Sequence, residues 1–231
     1  MKYNLGKIIV MSLGGSVMIP DGIDSAFLKE FRAFVKKWAE KKKFIIVTGG
    51  GKICRRYQQA LREIRKSSNE DNDWLGIRVT ELNARFLQLV LKDIANPLIV
   101  SERGLLKKIK NLKYPVTIGC GWKPGSSTDL DTATLAKHFG AKEVVNIGTA
   151  PYVYDKDYNK YKDAKPFYNL SWKEYKKIIP AEWLAGSHYP IDPVAARFAE
   201  KNKLKMIVVG GDLQNVENLF SGREFKGTIV G

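Results

Sequence analysis

The 231-residue sequence predicts an α/β fold with a mainly parallel central sheet and helices on both faces. Short apolar runs rich in β-branched residues recur along the chain, as buried strands require. Segments of helical period separate them, and an alternation of this kind builds parallel sheets through crossover helices. Glycine-rich turns follow several of the runs, where an open α/β sheet presents its ligand edge.

The first run is KIIVMSL (7–13), and it ends on SLGGS (12–16). Phe27, Leu28, Phe31, Phe34, Val35 and Trp38 then share one helical face. FIIVT (44–48) is the next strand and runs into TGGGK (48–52). Leu75, Val79, Leu82, Phe86 and Leu89 mark the apolar face of a second long helix. PLIV (97–100), YPVTIG (114–119), EVVNI (143–147) and MIVVG (206–210) supply further strands. The segment 148–170 reads as irregular or hairpin. SWKE (171–174) has the spacing of a capping box, and Asp192-Pro193 places an N-cap before a first-turn proline. No internal repeat or linker divides the chain, so a single domain is expected over 1–231.

The formal net charge of +15 suits an anionic partner. However, the basic clusters KKWAEKKK (36–43) and KKIKNLK (107–113) lie beside amphipathic patterns without interleaved aromatics, so nucleic acid is not expected. A small anionic substrate fits this balance. No apolar stretch approaches the roughly 18 residues of a membrane span. Two cysteines, Cys54 and Cys120, make no disulfide framework, and a cytoplasmic setting is expected. With two histidines in the chain, His188 among them, a histidine metal site is not expected.

Three glycine turns, LGGS (13–16), TGGGK (48–52) and GCGWKPGSSTD (119–129), end three predicted strands. Glycine lets backbone N–H groups approach an anion, and a following helix N-terminus adds a favourable field. Their convergence on one sheet edge predicts a phosphate site. Neither the Walker pattern nor Gly-x-Gly-x-x-Gly occurs in these turns, so neither a P-loop nor a dinucleotide fold is indicated.

SLGGSV (12–17), VTGGGKICRRY (47–57), DWLGIRVTELNA (73–84), PGSSTDLDTATLA (124–136), VYDKD (153–157), AGSHYPIDPVAA (185–196) and GTIV (227–230) occur in that order. In this ordered series the chain resembles the amino acid kinase family and, within it, the archaeal type of uridylate (UMP) kinase. The resemblance implies one three-layer α/β/α domain, with an acceptor-side half at about 1–140 and a nucleotide-side half at about 141–231. It implies transfer of the ATP γ-phosphoryl group to UMP with Mg²⁺, and a homo-oligomer, a hexamer in this family. Gly14, Gly15 and Ser16 would lie under the phosphates in transit, with Tyr154 and Asp157 toward ATP. Gly50, Gly51 and Arg55 match the acceptor-phosphate segment, Asp73 the holder of the ribose hydroxyls, and Thr128 an acceptor contact. Asp129 matches the organiser of the catalytic cations. Asp192 reads as a cap and Asp131 as solvated.

Two departures stand out. Ser12 occupies a position where many family members have lysine; if the transferred group needs a side-chain cation, another loop must supply it, and Lys52 and Lys123 are the candidates, the alternative being Mg²⁺ and backbone alone. TAPY (149–152) replaces the usual Asn-Val-Asp-Gly, with Pro151 removing a backbone donor and Tyr152 filling space beside the nucleotide. The same departures also suit a member of the fold that binds nucleotide or oxyanion without turnover, as a storage or regulatory protein. A kinase for another small phosphate acceptor, such as isopentenyl phosphate, usually carries a histidine in the second glycine loop, and GGGKICRRY has none.

Overall fold

The computed structural model describes residues 1–109, 112–184 and 189–231. In chain order the elements are β1 (Ile8–Leu13), α1 (Gly15–Met18), α2 (Ser25–Ala39), β2 (Lys43–Thr48), α3 (Gly51–Ile64), α4 (Asn69–Val90), β3 (Val116–Gly119), α5 (Thr128–Phe139) and β4 (Glu143–Gly148). The short strands β5 (Val153–Tyr154), β6 (Pro166–Phe167) and β7 (Asn169–Leu170) follow, then α6 (Trp172–Tyr175), α7 (Pro193–Lys201), β8 (Lys205–Gly210), α8 (Leu213–Phe220) and β9 (Thr228–Val230). A 3₁₀ turn spans Arg103–Lys108.

The sheet order is β3-β2-β1-β4-β8-β9-β7, and its pairings are parallel except β8 with β9. Alternation along β1 sends Ile9, Met11 and Leu13 to one face, where Phe31, Phe34, Leu87 and Phe220 cover them. Val10, Ile45 and Val47 face the opposite layer with Ala133, Leu135 and Ala196. The result is the expected α/β/α sandwich.

The capping signals hold. Ser171 and Glu174 form a reciprocal box, and Asp192 accepts from Val194 and Ala195 N–H at the start of α7. Segment 148–170 contains the β5–β6 hairpin.

Three expectations are corrected. PLIV is not a strand: Ala95 and Val100 make single bridges to β3, and Pro97 between them has no N–H to continue a ladder. On α4 the apolar positions Leu82 and Leu89 are 69% and 58% exposed. Its inward face instead carries Asn72, Asp73, Gly76, Val79, Thr80, Asn83 and Leu87, because that face serves loops as well as core. Asp131 is not solvated but 6% exposed, on the inner side of α5. Residues 185–188, with His188 and the start of the AGSHYPIDPVAA stretch, lie outside the described residues.

Candidate active site

Strands β3, β2, β1 and β4 are adjacent and parallel, so their C-terminal ends open on one edge, and the glycine turns meet there. The turns after β1 and β2 are packed backbone on backbone. A Cβ on Gly15 would lie 2.4 Å from Gly49 O and 2.5 Å from Gly51 N, and Gly51 itself has φ +70°. Their bareness therefore has a structural cause beside the anion-cradling one, since two turns cannot approach so closely around side chains. Polar groups on the inner face of α4 fasten these turns. Asn83 Nδ2 donates to Gly49 O at 2.8 Å, and Thr80 Oγ1 accepts from Gly121 N at 3.0 Å.

A cleft of about 570 Å³ lies above this edge. Gly14, Gly15, Ser16, Tyr154 and Asp157 line it, as do Asp129, Asn146 and Lys156. It adjoins a smaller compartment of about 140 Å³ whose walls include Asp73, Gln58, Lys123 and Asp131. Gly50, Gly51, Arg55, Ser127, Thr128 and Trp183 border both spaces. Of the residues expected to contact the acceptor, only Asp73 is confined to the smaller space, whereas Gly50, Gly51, Arg55 and Thr128 stand where the two spaces adjoin.

At the junction, Arg55 Nη2 donates to Ser16 Oγ at 3.2 Å, tying the second turn of α3 to the turn after β1. Asp73 lies in the second turn of α4, while the cap is formed by Ser68 with Asp71. Its Oδ2 accepts from Gly125 N at 2.8 Å and from Trp183 Nε1 at 3.2 Å.

Asp129 forms the buried centre of the larger cleft. Parallel register sets Ser12 beside Asn146, and both point to the α5 side of the sheet. Ser12 Oγ donates to Asp129 Oδ1 at 3.1 Å, and Asn146 Nδ2 donates to the same oxygen at 3.4 Å. The backbone N–H of Asp192 reaches Asp129 Oδ2 at 3.4 Å. Asp192 is held in turn by the Ser127 hydroxyl at 2.6 Å, and Ser127, not Thr128 or Asp129, is the N-cap of α5. Burial, reinforced by the negative charge of Asp192, raises the Asp129 carboxyl well above the usual carboxylate range. Burial also pushes Asp131 up to about 8, with Lys123 pulling the other way.

The two lysine candidates part here. Lys123 borders the smaller compartment. Lys52 is directed away, its Nζ 3.2 Å from Asp21 on an exposed face. A lysine not anticipated, Lys156, borders the larger cleft and pairs with Asp163 at 2.6 Å.

In the 149–152 segment, Pro151 packs against Gly210, where an added Cβ would meet Pro151 Cα at 3.3 Å. Tyr152 stands edge-on to Tyr154 and Tyr168, and Tyr154 stacks on Tyr158 with ring centres 4.8 Å apart. Tyr152, Tyr154 and Tyr158 line the larger cleft, an aromatic wall against which a planar ring can stack.

Sequence reasoning also missed Ser127, Asn146 and Trp183. An asparagine inside the apolar run EVVNI was the available signal for Asn146. Nothing local marks Trp183, whose partner is 110 residues away.

Residues 7–210 match the profile described as Amino acid kinase family. The chain is similar to a uridylate kinase of Methanocaldococcus jannaschii, with 38% identity covering 96% of this chain and 98% of that one. It is 36% identical to a uridylate kinase of Thermoplasma volcanium, covering 95% of each. Among solved structures it resembles uridylate kinase from Archaeoglobus fulgidus, with a TM-score of 0.82 and 28% identity over 98% of this chain and 100% of that chain.

Proposed function

The chain belongs to the amino acid kinase family, and we propose that it transfers the γ-phosphoryl group of ATP to UMP, giving UDP for pyrimidine nucleotide synthesis. The observation that carries this reading is the pair of connected compartments meeting at Arg55 and Thr128. The larger has room for a nucleoside triphosphate and an aromatic wall, and the smaller is lined by the Arg55 guanidinium and the Asp73 carboxylate. Such an arrangement suits a donor and a phosphorylated ribonucleoside facing each other. The similarity to uridylate kinases supports the choice of acceptor.

Phosphoryl transfer needs positioning and charge support more than covalent chemistry. Gly14 and Gly15 present backbone close to the phosphates, with Ser16 beside them. Arg55 grips the acceptor phosphate as a planar fork. Asp73 accepts from the ribose hydroxyls, and Tyr154 and Asp157 contact the donor nucleoside. Ser12 and Asn146 hold Asp129 in place.

The oxygens around Asp129 fit a magnesium ion carried with ATP, since that ion takes hard oxygen ligands and the Asp129 carboxylate lines the cleft together with the oxygen-bearing side chains of Ser12 and Asn146. Among the described residues no cluster of three metal-ligating side chains occurs, so phosphate and water would supply most of its ligands. Bound with ATP, magnesium supplies positive charge at the phosphate oxygens. Lys123 is the loop lysine with access to the acceptor side.

The exposed Leu82 and Leu89 on α4 suit burial against a second copy, in a homo-oligomer. Among the described residues no helix is long and apolar enough to cross a membrane. Two free, buried cysteines suit a reducing cytoplasm.

An ATP-consumption assay over a panel of nucleoside monophosphates and isopentenyl phosphate tests the function. UMP should be the preferred acceptor and turnover should require Mg²⁺. Tight nucleotide binding with no turnover on any acceptor would favour a storage or regulatory protein.

Arg55→Ala should weaken UMP binding by about 10- to 150-fold, the loss expected for one charge-assisted phosphate contact. ATP binding should change little in the same calorimetric titration. Equal losses for both ligands would put the guanidinium on the phosphate in transit.

A further inference from the structure

We propose that Trp183 is a latch on the acceptor compartment, held by its hydrogen bond to Asp73 and displaced when a nucleoside monophosphate binds. The inference rests on reading the smaller compartment as the acceptor site. That compartment has about 140 Å³, whereas pockets for ligands of nucleotide size run to roughly 300–1,000 Å³. The space beside Asp73 is thus smaller than a whole nucleotide, and displacing one wall enlarges it.

The walls differ in how firmly they are built. Cys54 and Gln58 belong to α3, and Asp73, Gly76 and Thr80 to α4, two helices packed on each other. Trp183 belongs to no helix or strand, and its segment is tied to α7 through Arg197 Nη1, which donates to Ala181 O at 2.6 Å. Its half-buried indole borders both compartments, so it stands at the passage between them.

Asp73 makes the latch specific. The residue is only 9% exposed, and one carboxylate oxygen already holds both the Gly125 amide and the indole N–H. A ribose diol that approaches Asp73 meets one oxygen, Oδ2, that is already engaged twice. Exchanging the indole N–H for a ribose O–H keeps the carboxylate satisfied, so opening is reversible. While the latch is closed, the observed affinity is the intrinsic affinity reduced by the fraction of molecules that are open.

The test uses the full chain as wild type, Trp183→Phe and Trp183→Ala, with UMP affinity by calorimetry and tryptophan emission during titration. Trp183→Phe keeps a ring but removes the donor, and should tighten UMP by about tenfold, the lower end for a hydrogen bond to a charged group. Trp183→Ala should tighten it at least as much. The emission change that UMP produces in wild type should be missing from Trp183→Phe. UMP binding that is unchanged or weaker in both variants overturns the latch, the weaker case making the indole part of the bound acceptor's wall. Absence of UMP binding in all three proteins would instead refute the acceptor assignment, and the latch with it.

Discussion

Asp129→Asn should abolish most turnover while leaving the fold intact or firmer. The substitution keeps the size of the side chain, and Ser127 rather than Asp129 caps α5, so no helix end is lost. What disappears is the negative charge at the centre of the cleft, where phosphate charge must be organised. Removing one preorganised electrostatic partner costs on the order of 100-fold or more in rate. UMP and ATP affinities should move far less than the rate. A variant that turns over near the wild-type rate would remove Asp129 from the chemistry.

Stability should respond in the opposite sense, with a defined pH signature. In the folded protein the Asp129 carboxyl holds its proton to a higher pH than in the unfolded chain, because burial and Asp192 disfavour its charge. The folded state therefore binds more protons between the unfolded value near ~3.9 and the raised folded value. Its contribution to stability is fully present below the unfolded value and is lost as pH rises through the folded one. Urea midpoints of wild type and Asp129→Asn, compared from pH 5 to pH 8, should diverge as pH rises, with the asparagine protein the more stable at the upper end. Parallel curves would mean that this carboxyl is not destabilised by its site.

Gly15→Ala should damage both stability and activity. The added Cβ would sit 2.4 to 2.6 Å from Gly49 O, Gly51 N and Gly50 C, backbone atoms of the facing turn. No side chain can swing away there, so the turns after β1 and β2 must separate. Overpacking of this kind costs about 1–3 kcal/mol, or roughly 2–12 °C in melting temperature for a chain of this size. Misplacing the phosphate-facing backbone by about an ångström costs around 100-fold in rate. Gly22→Ala is the matched control, since a Cβ there meets nothing within 4 Å. Equal melting temperatures and rates for the two variants would show that the turns part freely.

Much of this architecture is legible in local sequence. β-Branched runs such as FIIVT, the glycine turns, the Ser171–Glu174 box and the Asp192-Pro193 start of α7 each signal within a few residues, because strand propensity, turn geometry and capping are short-range effects. PLIV misleads because its apolar character comes without the unbroken backbone donors that a ladder needs. The α4 pattern misleads differently. Leu82 and Leu89 have core-like chemistry at helical spacing, and only the placement of neighbouring elements decides that the inward face is the one with Asp73, Thr80 and Asn83.

By itself, then, the sequence determined the α/β class, most of the strands of the parallel sheet, the glycine turns and, through its ordered motifs, the family and the residues to watch. Tertiary structure alone decided how those residues meet. Ser12 reaches Asp129 across 117 residues, and Trp183 reaches Asp73 across 110. Asp131 is buried although no motif marks it as more than a solvated charge, and Lys52 is turned out to Asp21 while Lys123 stays at the cleft. The physical reason is range. Propensity and capping act over a few residues, whereas burial, charge coupling and side-chain hydrogen bonds depend on strand register and layer packing, which bring distant parts of the chain to one sheet edge.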